Sequence, residues 1–320
     1  MIKNGIEMKK VNYVFSIIIK ATILLAIFYV VNMIFLNKDL GTTQYNFART
    51  KRDTMDIVAV GSSHLYCSFH APLLESEYDV DAYVLGTSAQ TMALTYYGVR
   101  EAIERQHPDV IVLELFYCFF EDELVQSAYT HDFFDEMPWG EVKIEAINAL
   151  IPEEERMAYR IPFVFYHSRW KELQAKDFSG MASDSRGFWA SEQVTSYEPV
   201  AVLDESDMLE IPQISKEYLD RIVDLCNEEG ITLICYAAPF YSMQDVEGMD
   251  METMQRYYNW LDRYLEQKGI EFVNFFHLLD EIQFDYATDL KDYGHCNTSG
   301  ATKITRYLAE HYLLEALGLR

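Results

Sequence analysis

The sequence predicts an α/β fold: a mostly parallel five-stranded sheet covered by helices on both faces, with a helical insertion and one transmembrane helix ahead of it. Three observations predict it. Five short apolar runs alternate with stretches of helical length, one long apolar run stands near the N-terminus, and 50% of the 320 residues are hydrophobic, enough for a large core.

Residues 13–36, YVFSIIIKATILLAIFYVVNMIFL, hold one charge, Lys20. At about 1.5 Å per residue the run spans a ~30 Å hydrocarbon layer. It is apolar all the way round, unlike a core helix, and too long for a signal peptide, with no small-x-small site behind it. Lys3, Lys9 and Lys10 precede it while Lys38, Arg49, Lys51 and Arg52 follow. Loop charge therefore does not set the side, although Lys20, near the N-terminal end, favours the N-terminus inside. Residues 1–37 read as tail and anchor, the polar segment 38–54 as a stalk, and 55–320 as the folded body.

The body opens on MDIVAV (55–60), followed by VDAYVL (80–85), DVIVLELF (109–116), ITLICYAA (231–238) and IEFVNFF (270–276). Each is apolar on both faces, as strands of a covered parallel sheet are. Helices are expected over 91–106, 213–229, 250–268 and 299–317, because parallel neighbours need a crossover between them. Residues 118–212, rich in aromatics and acids, interrupt the alternation and read as a helical insertion over the carboxyl edge of the sheet, where such folds bind ligands.

A formal charge of −25, from 26 basic against 51 acidic residues, excludes nucleic acid as a partner, since a binder needs a cationic face. Cys67, Cys118, Cys226, Cys235 and Cys296 are scattered and form no disulfide framework. Histidines 64, 70, 131 and 167 lack metal-ligand spacing, so neither metal nor cofactor is expected.

At the carboxyl end of the first strand the chain turns through Gly61-Ser62-Ser63-His64. A hydroxyl presented at such a turn becomes a nucleophile when a base and an orienting carboxylate wait elsewhere. Asp292 and His295, three residues apart before the last helix, supply that pair. The order Gly-x-Ser after the first strand, Gly after the second and Asp-x-x-His before the last helix resembles the SGNH (GDSL-like) hydrolase superfamily, over residues 55 to about 120 and 213–320. The resemblance implies a flavodoxin-like three-layer α/β/α sandwich, with Ser63 as nucleophile, Asp292 and His295 completing the triad, and Gly86 lending its N–H to the oxyanion hole. Ser62 stands in place of the usual Asp. The family's oxyanion Asn after the third strand is absent, Glu114-Leu-Phe-Tyr-Cys-Phe-Phe120 standing there instead.

The Gly-Ser-Ser turn, with Asp-x-x-His-x-Asn-x-x-Gly-Ala behind a single anchor, looks closest to the extracytoplasmic branch of the superfamily. That branch includes teichoic-acid D-alanylation and polysaccharide O-acetylation proteins. It implies a cell-membrane protein with its catalytic domain outside, a serine esterase or O-acyltransferase acting on acyl esters of a cell-surface glycan or teichoic-acid-like polymer, beside a membrane-bound O-acyltransferase. A non-catalytic scaffold or glycan-binding partner of such an acyltransferase is the alternative. His64 either lines the pocket or, as a first-turn residue, stays solvated. His167 and Arg169, within Tyr166-His-Ser-Arg-Trp170, either hold a sugar or acyl donor, with Arg169 clamping an anion, or belong to a packed helix. Asp184-Ser-Arg-Gly-Phe-Trp189 carries the same two readings.

Overall fold

A computed structural model describes residues 2–38, 43–179, 185–243 and 249–320. The chain folds as two compact units, one of 1–39 with 152–181 and one of 40–151 with 182–320.

In chain order, α1 (Ile2–Phe35) and α2 (Thr43–Phe47) precede β1 (Ile57–Gly61). Next come α3 (Ser63–Ser68), α4 (Ala71–Tyr78), β2 (Ala82–Gly86), α5 (Met92–Gln106) and β3 (Val110–Glu114). The insertion contributes α6 (Ser127–Glu136), α7 (Glu141–Leu150), α8 (Arg156–Arg160) and α9 (Pro162–Tyr166). The chain then continues through α10 (Gln213–Glu229), β4 (Thr232–Ala237), α11 (Met251–Glu266), β5 (Glu271–Asn274) and α12 (Thr298–Leu308).

The sheet lies wholly in the larger unit. All its pairings are parallel, in the order β2-β1-β3-β4-β5, the flavodoxin-like order, which places a topological switch point between β1 and β3. β1, β2 and β3 are buried along their whole length, as their two-sided apolar runs require. Ile57, Ala59, Val112, Ile234 and Tyr236 face a core shared with Leu65, Leu74, Ile304 and Leu308 of α3, α4 and α12. α5 and α10 pack on one another and against β1 and β4 respectively.

Two expectations need correction. The segment 38–54 is not a stalk from Thr43 onward. The Thr43 hydroxyl donates to the Gly86 carbonyl (2.6 Å), Phe47 is buried, and Gln106 Nε2 donates to Thr50 Oγ1 (2.8 Å), so these residues join the larger unit, while 39–42 lie outside the described residues. Nor does the insertion behave as one helical body. α6 and α7 belong to the larger unit and α8 and α9 to the smaller, while residues 189–212 form a strap without helix or strand. The strap is irregular because its backbone partners lie on loops rather than within itself: Thr195 N–H donates to Leu290 O and Tyr197 N–H to Tyr286 O.

In the smaller unit, α1 contains a 24-residue stretch, Asn12–Phe35, of mean hydropathy 2.5 and unburied, long and apolar enough to cross a membrane. Its C-terminal end is tied to the 152–179 segment. Asn32 Oδ1 accepts the Phe163 N–H (2.9 Å), and Phe35 and Phe163 meet edge to face at 5.0 Å.

Candidate active site

The switch at the end of β1 is made by close approach. A Cβ on Gly86 would sit 2.8 Å from the Gly61 carbonyl oxygen, and one on Gly61 would sit 2.9 Å from Glu114 Cβ, so neither position holds a side chain without backbone movement. Beyond Gly61, Ser62 caps α3 by accepting the His64 N–H (3.2 Å). Ser63 is thereby the first residue of the helix.

The partner loop is fixed from its own residues. Asn297 caps α12 by accepting the Gly300 N–H (3.1 Å) and donates to Thr288 O (2.7 Å). Buried Asp289 accepts from Ser299 Oγ and Lys303 Nζ, both at 2.7 Å. The strap adds two bonds to Lys291 O, from Thr195 Oγ1 (2.6 Å) and Gln193 Nε2 (3.0 Å). Asp292 Oδ1 accepts the N–H groups of Gly294 and His295, both at 2.9 Å, which closes the turn that aims the imidazole.

Ser63, His295 and Asp292 meet in one line. Asp292 Oδ1 lies 2.9 Å from His295 Nδ1, and His295 Nε2 lies 2.8 Å from Ser63 Oγ. Burial works against the Asp292 carboxylate, but the bond from His295, reinforced by Gly294 N–H and Lys291, holds its pKa below the usual carboxylate range. An ionised Asp292 favours the tautomer with the proton on Nδ1, which leaves Nε2 free to accept from the Ser63 hydroxyl. The side chains of His295 and Asp292 are 26% and 38% exposed, so a substrate can reach them.

No protein-family model matches the chain. No curated protein matches it significantly either. Among solved structures, a Bacteroides fragilis chain provisionally described as an acylhydrolase aligns over 87% of this chain and 95% of its own, at 13% identity and a TM-score of 0.45. A likeness of that size carries no argument about chemistry, which rests on the residues themselves.

Glu114 stands where the resemblance leads one to seek an oxyanion Asn, and it points inward. Its Oε2 accepts from Ser62 Oγ (2.9 Å) and its Oε1 from Phe116 N–H (2.6 Å), so it braces the Gly61–Ser62–Ser63 turn. Complete burial pushes its pKa up to about 7 against the pull of those bonds. His64, read as either solvated or pocket-lining, is not solvated: it is buried, stacks on Phe116 with ring centroids 3.3 Å apart, and lies 4.7 Å from the His295 ring. Burial, with the nearby His295 and Lys291, holds its pKa well below the ordinary value, so it is neutral and acts as an aromatic wall. The reason is local: Ser62 takes the capping role, and the His64 side chain turns into the apolar space beside Phe116 and Phe240.

Tyr66 was not singled out by sequence reasoning. It sits three residues after Ser63 on α3 and therefore on the same helix face. Its hydroxyl is 3.0 Å from Ser88 Oγ. Burial raises its pKa above the ordinary phenol range, which keeps it a donor. The half-exposed Trp189 of the strap stacks on it at 5.5 Å. The i,i+3 spacing from Ser63 was the available signal. From the insertion, Asp132 is buried, which raises its pKa to about 7.

Arg169 and His167 belong to the smaller unit, whereas the triad belongs to the larger. The Arg169 guanidinium donates to Phe35 O and pairs with Asp177 (3.1 Å), and His167 Nδ1 lies 2.8 Å from Val164 O. Arg186 pairs with Glu75 (2.7 Å) and Asp81 (2.9 Å), a packing role, and Asp184 lies outside the described residues. Cys296, beside the base, is buried with its thiol pKa raised, which suits a spectator.

Proposed function

We propose that the larger unit is a serine esterase or O-acyltransferase, and that the chain acts at a cell membrane on acyl esters of a surface glycan or teichoic-acid-like polymer. The observation that carries the reading is the relay Ser63–His295–Asp292, whose two hydrogen bonds of 2.8 and 2.9 Å join the nucleophile turn to a base and carboxylate more than two hundred positions away, at the carboxyl edge of the sheet.

In the proposed reaction Ser63 Oγ attacks the ester carbonyl carbon while its proton passes to His295 Nε2. Asp292 holds Nδ1–H and stabilises the imidazolium. Collapse of the tetrahedral intermediate breaks the bond to the alkoxy leaving group, which takes the proton from Nε2. In hydrolysis a water attacks the acyl carbon and gives its own proton to His295 Nε2, and collapse then breaks the acyl–Oγ bond while Nε2 returns that proton to Ser63; in transfer a sugar hydroxyl takes the place of water. Oxyanion donors in this scheme are the N–H groups of Ser63 and Gly86, joined by the Tyr66 hydroxyl in place of the Asn that Glu114 displaces. The glycan or teichoic-acid substrate, the outward-facing body and a membrane O-acyltransferase partner extend the reading by resemblance alone.

Fluorophosphonate labelling of the detergent-solubilised full chain tests it. Wild type should label, and Ser63→Ala and His295→Ala should not, with all three folded by circular dichroism. A folded wild type that stays unlabelled favours the second reading, a scaffold or glycan-binding partner, to which the inward-turned Glu114 already lends weight.

A further inference from the structure

We propose that residues 156–179 form a collar that lies at the headgroup level of the bilayer crossed by α1 and takes the phosphate of an anionic phospholipid. The proposal rests on α1 spanning a membrane and is independent of the hydrolase chemistry.

Several bonds tie the collar to the end of the apolar run. Phe163 N–H reaches Asn32 Oδ1 (2.9 Å), the Arg169 guanidinium reaches the Phe35 carbonyl, and Lys38 Nζ reaches Asp177 O and Ser179 O, both at 2.7 Å. From Asn32 to Phe35 is less than about 6 Å of helix rise. The collar's depth is therefore set by the point at which α1 leaves the hydrocarbon.

Its outward side chains suit that level. Trp170 is 63% exposed and Phe178 65%, with Met157, Val164 and Phe165 also exposed. So many large apolar groups on so short a segment are unusual against water, while aromatic rings are favoured at the membrane interface. Charge agrees. Residues 156–179 hold Arg156, Arg160, Arg169, Lys171 and Lys176 against Glu172 and Asp177, a basic excess within a chain of net charge −25. Lys171 Nζ stands 5.1 Å from the centre of the Trp170 ring, so cation and aromatic share one patch. Beside it a cavity of about 580 Å³ is lined by Asn37, Ser168, Arg169, Gln174 and Lys176, with Glu172 as its acid. Lys176 and the Arg169 guanidinium, which also pairs with Asp177, together with neutral polar groups beside the membrane exit, match a phosphodiester headgroup.

The full chain would be reconstituted in phosphatidylcholine vesicles containing about 30% phosphatidylglycerol, a leaflet charge that attracts basic segments. A variant keeping Trp170 alone (Trp139, Trp189 and Trp260→Phe) would be quenched with brominated lipids and with acrylamide. Trp170→Phe in the otherwise native chain supplies the same reading by subtraction if the triple variant does not fold. We expect bromolipid quenching from the shallow acyl positions, acrylamide quenching several-fold weaker than that of N-acetyltryptophanamide in the same buffer, and stronger quenching by brominated phosphatidylglycerol than phosphatidylcholine. That last preference should vanish in Lys171→Glu/Lys176→Glu. Flotation reports insertion of α1 separately: a chain that floats while Trp170 meets acrylamide freely and escapes bromolipid overturns the collar alone, and a chain that does not float overturns both.

Discussion

Replacing Glu114 with Gln separates the brace under the nucleophile turn from its proton. Glu114 is fully buried, and burial carries its pKa from 4.5 to about 7 although Ser62 and Phe116 donate to it. The folded chain therefore binds this proton more tightly than the unfolded chain. The resulting stabilisation is complete below about pH 4.5 and is lost as pH rises through about 7. At about 1.4 kcal/mol per pH unit, the loss across that window is about 3 kcal/mol. Gln keeps the size of the side chain and has no such proton, but its amide NH2 must face either Ser62, whose N–H and O–H both point at Oε2, or Phe116 N–H. A mispaired buried donor of this kind costs about 1–3 kcal/mol. At pH 5 the variant should be the less stable by that amount. Between pH 5 and pH 8 the gap should shrink by about 2.5 kcal/mol, so the two proteins converge or reverse. Glu101 and Asp132, also raised to about 7, titrate in both proteins and cancel in the difference. Thermal unfolding of the detergent-solubilised full chain from pH 5 to 8, followed by near-ultraviolet circular dichroism, measures the gap. A difference in Tm that stays constant with pH would refute the reasoning.

Three further outcomes follow from the same geometry. Asp292→Asn replaces the acceptor of His295 Nδ1–H with an amide that can select the wrong tautomer, and the rate of fluorophosphonate labelling should fall by about 10³- to 10⁴-fold with the fold unchanged. Tyr66→Phe removes only a hydroxyl, and should slow labelling by about 10²-fold while Tm moves little; an unchanged rate would leave Ser88 as its sole business. Gly86→Ala drives a Cβ to within 2.8 Å of the Gly61 carbonyl oxygen, and should cost about 1–3 kcal/mol in denaturant unfolding together with loss of labelling, since β1 and β2 must part at the turn.

The strands were legible because β1, β2 and β3 are buried along their whole length, and β4 beyond its first residue, so that each reads as an unbroken apolar run, with ends within three residues of those observed: VDAYVL over 80–85 became Ala82–Gly86, and DVIVLELF over 109–116 became Val110–Glu114. The sheet is wholly parallel, where the reading allowed a mostly parallel one. The turns that hold Ser63, Gly86, Asp292 and His295 were legible because each lies at an element boundary that its neighbours announce. His64 was not resolved, because a first-turn histidine turns inward or outward according to whether Phe116 and Phe240 lie opposite it, and those residues arrive from β3 and from beyond β4.

Sequence alone determined what depends on local chemistry: an apolar run of membrane-crossing length, five buried strands with their crossovers, a Gly-Ser-Ser turn, and an Asp-x-x-His turn before a capped helix. Tertiary structure decided what depends on distant segments meeting. It brought His295 to Ser63, turned Glu114 inward to hold Ser62, paired Tyr66 with Ser88, and placed Arg169 in the unit of the N-terminal helix rather than that of Ser63. The physical reason is that hydrogen bonds and ring contacts act over a few ångströms. Which residues come within that reach is settled by strand order and by the path of the strap, and neither is written in local spacing.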